Sequence, residues 1–442
     1  MKCCSESWTE TPNRSAAWIR PGVPPSRVAF PIGSVSPTCL SPRATELIGR
    51  GASFWIVAIT FGLFLFAAAA PSPLYAVYAA LWQFSAGALT EVFAVYALAL
   101  LVALLFTGPL SDFLGRRPVI LAALAIQLAS IALFLLATGI GWLFAARIAQ
   151  GIATGVATGA LAAALVDLQP PGNPALASLV NSAGPILSLG LGALVSAVLV
   201  QYAPDPLHLV YWLTLLGFIA AVAAVMAMPE SGMRRKGARL WPRVSVEPAV
   251  RREFIATVPI LIAGWAVAGF YLSLGPSLAS QLAATSNRVP GGLAIFLLTE
   301  VGAISIVLAR SWATTRAMTV GGIILGAGLV VAVIAVALMS PILFFAATAV
   351  TGVGFGLAWL GVLRTLVGLA APTARAALLA AVFIVAYLAL ALPAVIAGYL
   401  ATRIGLHDAA LWYAVALVLL TFSGVVATWF VTLRGRSPQV VS

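Results

Sequence analysis

Charge is scarce in this sequence, and lysine is nearly missing. Only 8% of the 442 residues are Asp, Glu, Lys or Arg, where a soluble domain carries roughly 25%. The two lysines are Lys2 and Lys236, and neither sits in a Gly-Lys-Ser/Thr context. A Walker A phosphate loop is therefore excluded, and with it ATP hydrolysis by that route. Cysteine is confined to Cys3, Cys4 and Cys39. The apolar body consequently holds no disulfide and no thiolate metal site. The two histidines, His208 and His407, stand beside Asp205 and Asp408 in short polar connections and reach no metal-ligand count. No nucleophile elbow or paired catalytic carboxylates are visible, so the chain does not read as an enzyme, and no cofactor is expected.

What is abundant is apolar surface. Hydrophobic residues make up 62% of the chain and its mean hydropathy is +1.08. No soluble globule of this length could hide so much. Twelve apolar runs are each long enough to cross about 30 Å of hydrocarbon as a helix. They lie near 54–78, 88–110, 117–138, 141–166, 175–202, 209–228, 255–280, 291–310, 317–338, 341–369, 375–401 and 409–433. Their length and Leu/Ala content favour helices over barrel strands. The fold class is an all-α polytopic membrane protein.

Pro-, Ser- and Arg-rich residues 1–50 read as a disordered tail. The longest polar stretch inside the body, residues 229–254, divides the spans six and six. The expected organisation is a bundle over 51–228, the central loop 229–254, a second bundle over 255–433 and a tail at 434–442. With the N-terminus inside, Arg288 and Arg403 fall outside, Arg147 lies within a span, and every other basic residue faces the cytoplasm. The positive-inside rule thus places both termini in the cytoplasm of an inner (plasma) membrane. The net charge of +12 is an orientation signal; no aromatic-interleaved basic surface suggests nucleic acid. The expected partners are the lipid bilayer and a small-molecule substrate, and the chain is expected to act as a monomer.

The halves echo each other. "PSPLY" (Pro71–Tyr75) ends the first span and "GPSLA" (Gly275–Ala279) sits similarly in the seventh; Arg117 and Arg316 each open the third span of their half. A weak six-span repeat fits two half-bundles around a central cavity.

Between the second and third spans stands "GPLSDFLGRR", Gly108 to Arg117. It resembles the loop 2–3 signature of the major facilitator superfamily (MFS), matching at Gly108, Leu110, Ser111, Asp112, Gly115, Arg116 and Arg117. It departs at Phe113, where the family carries a basic residue. Gly108 and Gly115 would allow a tight turn. The resemblance implies a gating ion-pair cluster of Asp112, Arg116, Arg117 and Asp167, with Asp112 also facing the start of the eleventh span near Thr373–Arg375. "RIAQG" (Arg147–Gly151) resembles the family's span 4 motif, whose arginine is linked to proton transfer in proton-coupled relatives. "AGPILSLGLG" (Ala183–Gly192) faintly resembles the antiporter signature, with Gly190 and Gly192 displaced.

Glu300 is the one acid placed near the middle of a span, and an intramembrane carboxylate marks a functional site by default. Glu300 and Arg147 are the candidates for proton coupling. Asn181, Trp265, Tyr271, Trp359 and Tyr387 are the candidates for lining the substrate cavity. Glycines at 151, 155 and 159 and at 352, 354, 356 and 361 suggest close helix packing. Together these features predict a secondary transporter working by alternating access and driven by a proton gradient. Export of a small organic molecule by antiport is favoured. The alternatives are a symporter importing a sugar or organic acid, and a membrane receptor or scaffold that transports nothing.

Overall fold

The computed structural model describes residues 48–434, without 109, 174–175, 233–243 and 372 and without the side chains of 432–434. The expected N-terminal tail up to residue 47, most of the central loop and the C-terminal tail beyond 434 lie outside the described residues. Fifteen helices are described. In order they are α1 (Arg50–Ala69), α2 (Tyr75–Trp82), α3 (Ala86–Thr107), α4 (Leu110–Leu114), α5 (Arg116–Leu135), α6 (Ile140–Leu168), α7 (Leu176–Tyr202), α8 (Leu209–Ala227), α9 (Pro248–Ser273), α10 (Gly275–Leu282), α11 (Val289–Leu308), α12 (Thr314–Ala337), α13 (Pro341–Leu369), α14 (Arg375–Ile404) and α15 (Leu406–Arg434).

Twelve of them are long and apolar enough to cross a membrane, so the chain has the twelve-helix architecture expected of its composition. Six spans precede the break in the description at 233–243 and six follow it; α1–α8 are called the first half and α9–α15 the second. Local chemistry sets the ends. Ser85 and Ser340 accept from the amides of Ala88 and Leu343 at the starts of α3 and α13. Pro248 and Pro341 occupy first-turn positions, where a missing N–H costs nothing. Pro248 also starts α9 inside the segment expected as central loop, so 248–254 is helix rather than connection.

The first and seventh spans are broken at corresponding places. α1 stops at Ala69 and the chain resumes as α2 at Tyr75; α9 stops at Ser273 and resumes as α10 at Gly275. These are the sites of "PSPLY" and "GPSLA". The repeat extends to the fourth and tenth spans, α6 and α13, both 29 residues long. An offset of 201 relates Gly151 to Gly352 and Gly155 to Gly356. In each half the pair lets the helix lie against a neighbour's backbone. A Cβ on Gly155 would stand 2.5 Å from the Leu100 carbonyl of α3, and one on Gly352 2.6 Å from the Leu298 carbonyl of α11. Without the small residues these helices would have to separate.

Candidate functional site

At the end of the bundle where α4 lies, the quoted loop folds as a short helix and a sharp turn. Gly115 has φ 100°, in the left-handed region that disfavours a side chain. Its place is also crowded: a Cβ there would lie 2.7 Å from Glu230 Oε2. Gly108 is different. It is helical, with φ −48°, and it faces Gly159 of α6, whose Cβ position lies 3.6 Å from the Gly108 Cα. The turn thus needs only one of its two glycines for conformation, and the other serves packing.

Arg116 is the hub of the loop. Its Nη1 lies 2.5 Å from Asp112 Oδ1 and 2.6 Å from Ser111 Oγ, and its Nε 3.1 Å from Asp167 Oδ2 at the end of α6. Glu230, beyond α8, accepts from the first amides of α5, at 2.7 Å from Arg116 N and 3.2 Å from Arg117 N. A carboxylate at a helix N-terminus complements the helix dipole. The Arg117 side chain donates to the Met226 carbonyl, and Arg50 Nη2 to the Asp167 carbonyl at 2.9 Å. The cluster therefore ties together the ends of α1, α4, α5, α6 and α8. Asp112 pairs with Arg116, and none of its recorded partners belongs to α14. Among the described residues no hydrogen bond or ion pair joins Asp112 to Thr373 or Arg375, and both are exposed. Glu230 escaped the sequence reading because it follows the sixth span with nothing local to pair it to the second loop.

Arg147 is fully buried. Its burial follows from the break in the first span. Pro71 has no N–H to give the Ala67 carbonyl, and Ser72 N turns back to Ala69 O. Ala67 and Ala68 are left without helical donors. Gln150 Nε2 fills the first at 2.9 Å and Arg147 Nη1 the second at 2.9 Å. Ser196 of α7 donates to the next open carbonyl, Ala70 O, at 2.5 Å. Arg147 also donates from Nε to Tyr75 Oη at 2.5 Å and from Nη1 to Gln150 Oε1 at 2.6 Å. Its guanidinium carbon stands 5.2 and 5.1 Å from the ring centres of Tyr75 and Tyr96. Among the described residues no carboxylate pairs with it, and Nη2 has no hydrogen-bond partner. The second half replaces this polar knot with a simpler pair: Tyr271 Oη and Thr348 Oγ1, 2.7 Å apart, with Thr348 at the position equivalent to Arg147.

The two halves meet along α3 with α14 and α7 with α11. The hydrogen bonds recorded between them all lie at the end away from Asp112. Tyr399 of α14 donates to Glu91 of α3. Arg288 N donates to Gln201 Oε1 at 2.9 Å, and Asn287 Nδ2 to Tyr202 Oη at 3.3 Å. Glycines close the same end: Gly398 lies against Thr90 and Ala86, and Gly292 against Ala193 and Ala197. Among the described residues no hydrogen bond or ion pair joins the halves at the Asp112 end. Among the described residues the polar contacts between the halves therefore gather at one end.

Glu300 sits on the α7–α11 seam. A Cβ on Gly190 would lie 2.7 Å from Glu300 Oε1, an oxygen shut off from solvent and without a hydrogen-bond partner. The glycines of "AGPILSLGLG" thus face different neighbours: Gly190 meets Thr299 and Glu300 of α11, and Gly192 meets Phe66 of α1. Arg147 and Glu300 do not share a hydrogen bond or ion pair.

Three of the five cavity candidates come together. Trp265, Trp359 and Tyr387, from α9, α13 and α14, form a half-buried aromatic group, with Trp265 5.2 Å from Trp359 and 5.3 Å from Tyr387 between ring centres. Trp265 Nε1 is unpartnered. Tyr271 is instead a buried core residue stacked on Phe344 at 6.0 Å. Asn181 is on α7, its Nδ2 bonded to the Ala162 carbonyl at 3.2 Å; it has no recorded contact with the aromatic group.

Twelve spans in a repeated arrangement define a multi-pass helical membrane protein. A profile of the Major Facilitator Superfamily matches residues 54–342. The chain belongs to that superfamily, and is a secondary transporter. The crystal structure of the nucleoside transporter NupG shares the fold, with a TM-score of 0.64 at 13% identity over 86% of this chain and 100% of that one. Comparison with curated proteins finds no match.

Proposed function

We propose that this transporter exports a small, partly apolar organic molecule in exchange for protons, from the cytoplasm across the inner (plasma) membrane. The reading is carried by Glu300. Its Oε1 lies unpartnered against the Gly190 position, on a seam between halves that must part during transport. When the carboxylate is charged, its enclosed Oε1 lacks the hydrogen bond that burial demands. A bound proton removes that demand and lets the seam close. In this reading Glu300 takes a proton when the α7–α11 seam opens to the outside, and gives it up towards the Asp112 end.

The aromatic group of Trp265, Trp359 and Tyr387 would receive the cargo. Its rings offer flat apolar faces, and Trp265 Nε1, now buried without a partner, would become a single donor once the cargo parts the rings. Such a surface favours an amphipathic organic molecule with an acceptor over a multiply charged one. In this reading the Asp112 end faces the cytoplasm, the side that the basic segments favour.

The test uses everted and right-side-out vesicles and a panel of labelled organic compounds. Export driven by a pH gradient, abolished by a protonophore and by Glu300→Gln, supports the reading. Transport by Glu300→Gln that matches the parent at every pH removes Glu300 from the mechanism. Accumulation in right-side-out vesicles instead would reassign the protein to import.

A further inference from the structure

A cleft of about 920 Å³ opens in the second half, away from the seam, between α9, α12, α13 and α15. It lies where α9 and α12 begin and α13 and α15 end, which puts it at the depth of lipid headgroups. Arg316, Arg364 and Glu253 are among the residues that line it. Its apolar lining includes the buried Met318 and Val425.

The charges in this cleft are not matched to one another. Among the described residues no ion pair joins Glu253 to either arginine. Arg364 Nη1 donates to the Arg310 carbonyl at 2.8 Å, and Arg316 lies 4.6 Å from the Trp312 ring centre. Neither contact neutralises a guanidinium. Glu253 Oε2 is shut off from solvent yet accepts no hydrogen bond. A carboxylate oxygen so placed calls for a donor.

We propose that the cleft binds a phospholipid whose headgroup carries both a phosphate and a primary ammonium. The phosphate would face Arg316 and Arg364, since arginine matches phosphate geometry. The ammonium would donate to Glu253, whose enclosed Oε2 a side-chain rotation would bring into the cleft. A trimethylated ammonium has no N–H and cannot supply that bond, and a glycerol headgroup brings hydroxyls without positive charge. The acyl chains would lie along Ile323 and Val425. Ile323, exposed at the mouth, opens the cleft to the surrounding bilayer rather than to the substrate path.

The experiment titrates the purified full-length chain in detergent with dioleoyl phosphatidylethanolamine, phosphatidylcholine or phosphatidylglycerol and counts retained lipids by native mass spectrometry. Phosphatidylethanolamine should bind about tenfold tighter than the other two, the weight of one charged hydrogen bond. Glu253→Gln should remove that preference, and Arg316→Gln with Arg364→Gln should lower phosphatidylethanolamine binding by about tenfold or more. Ile323→Trp blocks the mouth without touching a charge and should lower retention of all three lipids. Equal retention of the three lipids by the parent, or unchanged retention in these variants, overturns the proposal. Soluble phosphoethanolamine should leave the lipid bound; displacement would reassign the site to a soluble phosphate ester.

Discussion

Arg147 donates to the main-chain carbonyl of Ala68 at 2.9 Å, closing a gap that Pro71 and the turn after it leave in the first span. Two sequence features that look unrelated, "PSPLY" and "RIAQG", are thus one device. The prolines break the helix, and the fourth span supplies the donors that the broken helix lacks. Within the membrane, where no water can take the place of a missing donor, such a repair is obligatory.

Arg147→Gln should therefore act on stability as well as transport. It withdraws the donor from Ala68 O and from Tyr75, and an unsatisfied buried polar group costs about 1–3 kcal/mol. The purified variant should melt several degrees below the parent. Tyr75→Phe, which removes one of these partners and keeps the ring, should melt between the two. Parent-like melting of Arg147→Gln with transport lost would make the arginine purely a proton-handling group.

The glycine contacts of α6 and α13 predict matched effects. Gly151 and Gly352 are the equivalent pair: a Cβ at Gly151 would run into the Tyr96 carbonyl of α3, and one at Gly352 would stand 2.6 Å from the Leu298 carbonyl of α11. Gly151→Val and Gly352→Val should each destabilise by about 1–3 kcal/mol, the usual cost of overpacking. Folded yield after membrane extraction reads this out. A neutral effect at one site and a large one at the other would break the equivalence of the halves.

The Gly108–Arg117 loop separates conformational from electrostatic roles. The Asp112 side chain is 47% exposed, so its pair with Arg116 is screened, and Asp112→Asn should change stability by less than about 1 kcal/mol. It should nevertheless slow transport if Asp112 bridges to α14 when the halves close at that end. Gly115→Ala should be the more damaging to folding, because φ 100° and Glu230 both oppose a side chain. Loss of the protein from the membrane on Asp112→Asn alone would make the acid a structural residue.

Much of this architecture is legible in the sequence. The twelve runs, the charged turn and the two span breaks are all marked by residue types with strong local consequences: apolar length, proline and glycine. The side-chain geometry at the centre is less legible. These helices are apolar around most of their circumference, so no stripe distinguishes a residue facing the cavity from one facing a neighbour. Tyr271 and Trp265 are equally plausible cavity residues by sequence, yet one is locked onto Thr348 and the other stands with Trp359 and Tyr387. Glu230 and Gln201 act on partners far along the chain, and no local pattern announces such pairs.

Transport requires the two halves to part at the end now held by Tyr399 and Glu91. Gly398 lies directly against Thr90 there, close enough for a disulfide once the threonine side chain is replaced. With Cys3, Cys4 and Cys39 changed to serine, the pair Thr90→Cys and Gly398→Cys should cross-link on oxidation. Transport should then stop and return on reduction, while each single cysteine variant remains insensitive to oxidant. A fully cross-linked protein that transports at the rate of its reduced form would contradict alternating access through this seam.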